Sequence, residues 1–113
     1  MNIATIEVQP RVEHVEVSND RLVVTLADGR TVSVPLEWYP RLLHATEEER
    51  SDWRVFEDTE DRDIIHWEQL DEFIPAIALL AGVPSRESRR SFERWLSSRV
   101  KKSPHSFNQT DAS

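Results

Sequence analysis

The chain has 113 residues, 38% hydrophobic and 31% charged, enough for one soluble core and not two. Its 21 acids against 14 Lys and Arg leave a net charge of −7, which opposes non-specific attraction of the whole molecule to nucleic acid or anionic membranes. It has no cysteine, so a disulfide scaffold and any thiolate chemistry or thiolate metal site are excluded.

Residues 1–10 are weakly patterned, and MNIATIEVQP carries acid and polar residues where a secretory signal needs a long apolar run. The apolar stretch from Ile74 to Val83 is too short to span a bilayer. A cytoplasmic protein with no membrane contact is expected. One domain is expected over 11–102, followed by a disordered polar tail over 103–113.

Val15 and Val17 share one face of VEHVEV, which predicts a strand over 11–18. The run RLVVTLADGRTVSVPL predicts a hairpin. A two-residue Asp28-Gly29 loop would set Leu26 against Thr31 and Val24 against Ser33, mixing the apolar and polar faces. A three-residue loop, Ala27-Asp28-Gly29, pairs Leu26 with Arg30, Val24 with Val32 and Leu22 with Val34. That register keeps the apolar face continuous and puts Gly29 where the turn needs a positive φ.

WYPRLLHA predicts a short helix with Pro40 in its first turn. Thr46-Glu47-Glu48-Glu49 matches a capping box at the start of a helix over 47–52. Trp53–Glu57 and Asp63–Trp67 read as two strands joined by the acidic link 58–62. PAIALLAG reads as a helix that starts near Pro75 and stops at Gly82. Ser85 is expected to cap a longer helix over 86–101, with Phe92, Trp95, Leu96 and Val100 at helical spacing. The expected class is α+β: a small antiparallel sheet of four to five strands with short helices and a longer C-terminal helix.

The string DGRTVSVPLEWYPRLLHATEEERSDW, followed by IHWEQLDEFI, LLAG and SRESRRSFERWL, resembles bacterial domain-of-unknown-function family number 2442 over roughly residues 12–100. The likeness rests on Asp28-Gly29, Trp38-Tyr39-Pro40-Arg41-Leu42, His66-Trp67, Leu70-Asp71-Glu72 and Leu79-Leu80-Ala81-Gly82 in combination. It implies a small α+β domain with no established activity or cofactor. It also implies, for some members, an antitoxin-like place in a two-gene pair. Others carry an appended helix-turn-helix domain, for which too few residues follow position 100. The chain departs from the pattern at Asp63-Ile64, where a glycine usually precedes Ile-His-Trp, and at Phe73-Ile74-Pro75, where Asp-Ile-Ser is common.

Four features are candidates for function. Asp71 and Glu72, with Glu68 upstream and His66 nearby, have the residue types of an acid–base or metal site. Acids also gather ahead of helices because a helix N-terminus favours negative charge, and that structural role or a partner contact is the expectation. The four histidines have no ligand spacing, and two glycines cannot build a phosphate loop. No catalytic residue, metal or cofactor is therefore expected. Arg86, Arg89, Arg90 and Arg94 form a basic face that suits phosphate, although the −7 net charge makes nucleic acid the lesser alternative.

Trp38, Tyr39, Trp53, Phe56, Trp67 and Phe73 are expected to fill the core. Tyr39 is the exception: beside Trp38 at a helix entrance, one of the pair is expected to mark a contact surface. The stripe of Phe92, Trp95 and Leu96 is expected to bind another small protein or a second copy of the chain, because the helix region carries +5 over 86–102 against −9 over 47–72. The alternative is that the helix packs on its own domain. The overall expectation is a non-enzymatic interaction module.

Overall fold

A computed structural model describes residues 10–58 and 62–102, with side chains up to Arg99. The expectations for residues 1–9, the middle of the acidic link, the Val100 side chain and the tail at 103–113 lie outside the described residues.

The first three strands, β1 (Val12–Val17), β2 (Arg21–Leu26) and β3 (Thr31–Pro35), form an antiparallel sheet in the order β1-β2-β3. The β2–β3 register follows from the pattern of its apolar residues. Leu22 pairs with Val34 and Val24 with Val32, and the Leu26 amide donates to the Arg30 carbonyl at 2.8 Å. Gly29 closes the three-residue loop at φ 96°.

A 3-10 turn at Leu36–Trp38 leads into α1 (Pro40–Leu43), with Pro40 at the first helical position. The helix α2 (Glu47–Ser51) opens on the predicted capping box. The Thr46 hydroxyl accepts from the Glu49 amide at 3.1 Å, and the Glu49 carboxylate accepts from the Thr46 amide at 2.9 Å.

The second sheet departs from the expectation. β4 (Trp53–Glu57) and β5 (Asp63–Trp67) pair as predicted, but they do not extend the first sheet. They form a separate three-stranded sheet with β6 (Glu72–Pro75), in the order β4-β5-β6. The single sheet of four to five strands is thus replaced by two sheets of three. The chain leaves β3 at Pro35, which has no N–H for a ladder, and passes through α1 and α2 before it pairs again. The sheets share one core, in which Leu22, Val24, Leu26 and Val34 of the first cluster with Ile65, Trp67 and Ile74 of the second. Asp63, buried at 6% exposure, ties them further by accepting from the Val12 amide at 2.8 Å and from Arg11 at 3.0 Å.

The helix α3 (Ala76–Ala81) stops at Gly82, φ 72°, where the Val83 amide donates back to the Ala78 carbonyl at 3.0 Å. The last helix, α4 (Arg89–Lys102), begins three residues later than predicted. Ser88 caps it, accepting from the Ser91 amide at 3.1 Å, whereas Ser85 accepts from the Glu87 amide. Residues 83–88 instead form an extended strap held to the 3-10 turn and α1. The Ser85 amide donates to the Trp38 carbonyl at 3.1 Å, and the Tyr39 hydroxyl to the Val83 carbonyl at 3.2 Å.

Candidate functional site

Arg41 on α1 organises the first of two surfaces. Its guanidinium grips the Glu87 carboxylate through Nε and Nη2, and Nη1 donates to the Leu70 carbonyl at 2.9 Å. Ser91 adds a hydrogen bond to Glu87 at 2.8 Å. Burial works against the Glu87 charge, but the bonds from Arg41 and Ser91 hold its pKa below the ordinary value. Trp95 of α4 lies between two cations, with Arg41 5.4 Å and Arg99 4.6 Å from its ring. Arg99 in turn makes a two-nitrogen pair with Glu49, the capping-box acid, and lowers its pKa. The cleft left beneath α4, about 800 Å³, is lined by Arg94, Trp95, Glu68 and Asp71 among others.

These contacts decide where the helix stripe docks. Trp95 packs against the chain's own core, Phe92 stacks on Trp95 and meets His44 edge-on, and Leu96 is half-buried. The stripe therefore docks on its own domain, the alternative to the expected contact between chains. Room exists because the 83–88 strap carries α4 past the small sheets and over α1 and α2. Arg86, Arg89, Arg90 and Arg94 stay exposed.

Tyr39 is also corrected. At 3% exposure it belongs to the core, and burial together with the nearby Glu72 charge pushes its pKa to about 12. Trp38 is half-buried against the same core.

Asp71 and Glu72 do not converge with His66 on a common centre. Asp71 ends the 3-10 turn Glu68–Leu70 in the left-handed region at φ 54°, exposed, a conformation that Asp tolerates better than most residues. Glu72 is partly buried between Tyr39, Arg41 and the strap. Burial, with help from Glu87 and Asp71 and against Arg41, pushes its pKa up to about 7. His66 lies on the far side of the second sheet. Among the described residues no group of three or more His, Asp or Glu could hold a metal ion.

The second surface went unnoticed in the sequence. On β5 the residues Asp63, Ile65 and Trp67 point into the core, so Ile64 and His66 face outward. Registry then sets Arg54, His66 and Phe73 side by side in one row and Phe56, Ile64 and Pro75 in the next. Phe56 and Phe73, expected in the core, are 42% and 49% exposed. The His66 and Phe73 rings stack at 4.1 Å, and Phe56 meets both edge-on at about 6 Å. Ile77 and Leu80 of α3 are exposed as well. The available signal was the parity of WRVFE, whose faces, Trp53/Val55 and Arg54/Phe56, both carry an aromatic.

Residues 12–85, about two thirds of the chain, match the family described as "Protein of unknown function (DUF2442)". The chain belongs to this family. A solved structure, a protein of unknown function from Rhodospirillum rubrum, is similar at 25% identity and a TM-score of 0.53. The match covers 70% of this chain and 94% of that one. No curated protein matches the chain. Among the described residues no helix is long and apolar enough to cross a membrane.

Proposed function

We propose that this DUF2442 domain is a non-enzymatic protein-interaction module whose contact surface is the outer face of the second sheet. One observation carries the reading: Phe56 and Phe73 stand exposed together on that face, in rows with Ile64 and Pro75. Contiguous apolar surface that the domain's own core does not use is the usual mark of a docking site. The finer reading, an antitoxin-like cytoplasmic member of a two-gene pair, rests on the family resemblance. The test is gel filtration of the tagged chain in extract of its host. The chain should elute above its monomer mass, and Phe73→Asp should bring it down to that mass. Elution as a monomer, or an unchanged profile for the variant, would overturn the reading.

A second reading, nucleic-acid contact, is favoured by the exposure of Arg86, Arg89, Arg90 and Arg94 on the strap and α4. It predicts a salt-dependent mobility shift with DNA or RNA that is lost on Arg90→Glu/Arg94→Glu.

A further inference from the structure

We infer that the small cavity between β6, α3 and the 83–88 strap binds an organic cation, an ammonium or guanidinium on a short aliphatic stem, with the Glu72 carboxylate as its counter-ion. The site lies on the strap side of β6 and does not depend on the outer face being a contact surface.

Strand parity fixes where Glu72 points. On β6, Phe73 stacks on His66 outside the second sheet and Ile74 is buried, so Glu72 shares the inner side with Ile74. Its strand partner is Trp67, which is fully buried. A carboxylate placed there loses much of its water, and a charge held away from water calls for a partner. The chain supplies none by contact: Glu72 makes no hydrogen bond or ion pair among the described residues. Arg41 is near enough for its charge to be felt, but its hydrogen bonds go to Glu87 and to the carbonyls of Leu70 and Asp71.

The carboxylate borders a cavity of about 330 Å³ whose walls include Pro75, Ala78, Val83 and Pro84. These side chains carry no polar group and suit an aliphatic stem, while the acid beside them suits a cationic head. A metal ion fits less well. It needs several oxygens, and among the described residues no group of three or more His, Asp or Glu could hold one. The wider surroundings agree in sign. Asp71, Glu72 and Glu87 stand against Arg41 and Arg86, three acids to two bases, so the site with Glu72 ionised keeps a negative charge. Tyr39, the remaining titratable group beside it, is neutral and donates to the Val83 carbonyl. Arg86 lines the same cavity and is exposed, so it competes for Glu72 with any other cation. The proton competes as well: burial lifts Glu72 to about 7, so the site gains its charge as pH rises through that value.

Titration of n-butylguanidinium into the purified full chain, read by amide NMR spectra, tests the inference. The Ala78, Val83 and Ser85 amides should shift saturably, with a Kd on the order of millimolar at pH 8. Affinity should fall about tenfold at pH 6, in step with the ionised fraction of Glu72. Uncharged n-butylurea should produce no shift. Glu72→Gln should abolish binding, its spectrum showing that it is folded, and Arg86→Ala should strengthen binding. N-acetylarginine methylamide distinguishes two sources of the same cation. Binding as tight as that of butylguanidinium assigns it to a side chain of a partner protein, and exclusion assigns it to a free small molecule; the cation site stands in both cases. Absence of saturable shifts at pH 8 in both the wild type and Arg86→Ala overturns the inference, as does binding that survives Glu72→Gln or is matched by n-butylurea.

Discussion

The two sheets have the same plan and opposite exteriors. Each has three antiparallel strands and one face in the shared core. The outward face of the first is closed by its own polar groups: Arg21 reaches across to Ser33, donating to its hydroxyl and carbonyl at 3.0 Å, among Thr25 and Thr31. The outward face of the second holds a stacked His66–Phe73 pair met edge-on by Phe56, with both phenylalanines exposed. The fold is thus complete without these rings. The first sheet finishes its outer face with polar groups, and under the proposed function the second keeps apolar surface there for another molecule.

Substitutions on the second sheet's two faces separate these roles most sharply. Trp67 points inward, fully buried, with its indole N–H donating to the Arg50 carbonyl at 3.0 Å. Trp67→Ala should cost about 3–5 kcal/mol in a urea melt, enough to unfold a domain of ordinary stability. If it cost no more than an outward aromatic, the assignment of inner and outer faces would be wrong.

Glu72 borders the strap, and its titration reads how firmly that region is closed. Its folded pKa of about 7 lies above the ordinary 4.5, so the folded chain holds a proton that the unfolded chain releases. Its contribution is therefore fully present below pH 4.5, falls as pH rises toward 7 and is flat above. Glu72→Gln should remove this slope and stabilise the protein by about 2 kcal/mol at pH 8, with little change at pH 4. Glu49 has the opposite sign. Paired with Arg99, it stabilises above the ordinary carboxylate range and is lost as pH falls. Thermal melts of wild type and Glu72→Gln across pH 4–9 separate the two, and parallel curves would contradict the placement of Glu72.

On the first sheet, Gly29→Val should cost about 1–2 kcal/mol. Nothing lies within 4 Å of the position a Cβ would take, so the whole effect is backbone strain at φ 96°. Phe73→Ala, on the outward face of the second sheet, should cost less than about 1 kcal/mol. A larger loss would mean that the stacked rings hold the fold together and were not kept for a partner.

The β2–β3 register was legible because only one pairing keeps Leu22, Val24 and Leu26 on one face with Val34. The capping box was legible because Thr46 and Glu49 bond within four residues of each other. The division into two sheets was not, since alternation reports which residues share a face and says nothing of which strands join. β6 was hidden because acids followed by Pro75 resemble a helix entrance. Phe56 was misplaced inside because both faces of β4 carry an aromatic, so hydrophobicity alone cannot choose the inner one, and Phe73 because it sits on β6, a strand the pattern did not predict. Tyr39 was misplaced outside because the turn at Leu36–Trp38 swings it under the strap, a contact 44 residues away in sequence. Ser85 and Ser88 are both good caps, and the long-range Arg41–Glu87 grip leaves only the later one free to start α4.

The central claim is that the second sheet's outer face is covered where the first sheet's is not. Hydroxyl-radical footprinting tests it most directly, comparing the dilute purified chain with the same chain at working concentration in host extract. Phe56 and Phe73 should be strongly protected in the extract, while Val23 on the first sheet's outer face and Leu43 on α1 keep their dilute reactivity. Equal oxidation of Phe56 and Phe73 under the two conditions would contradict it.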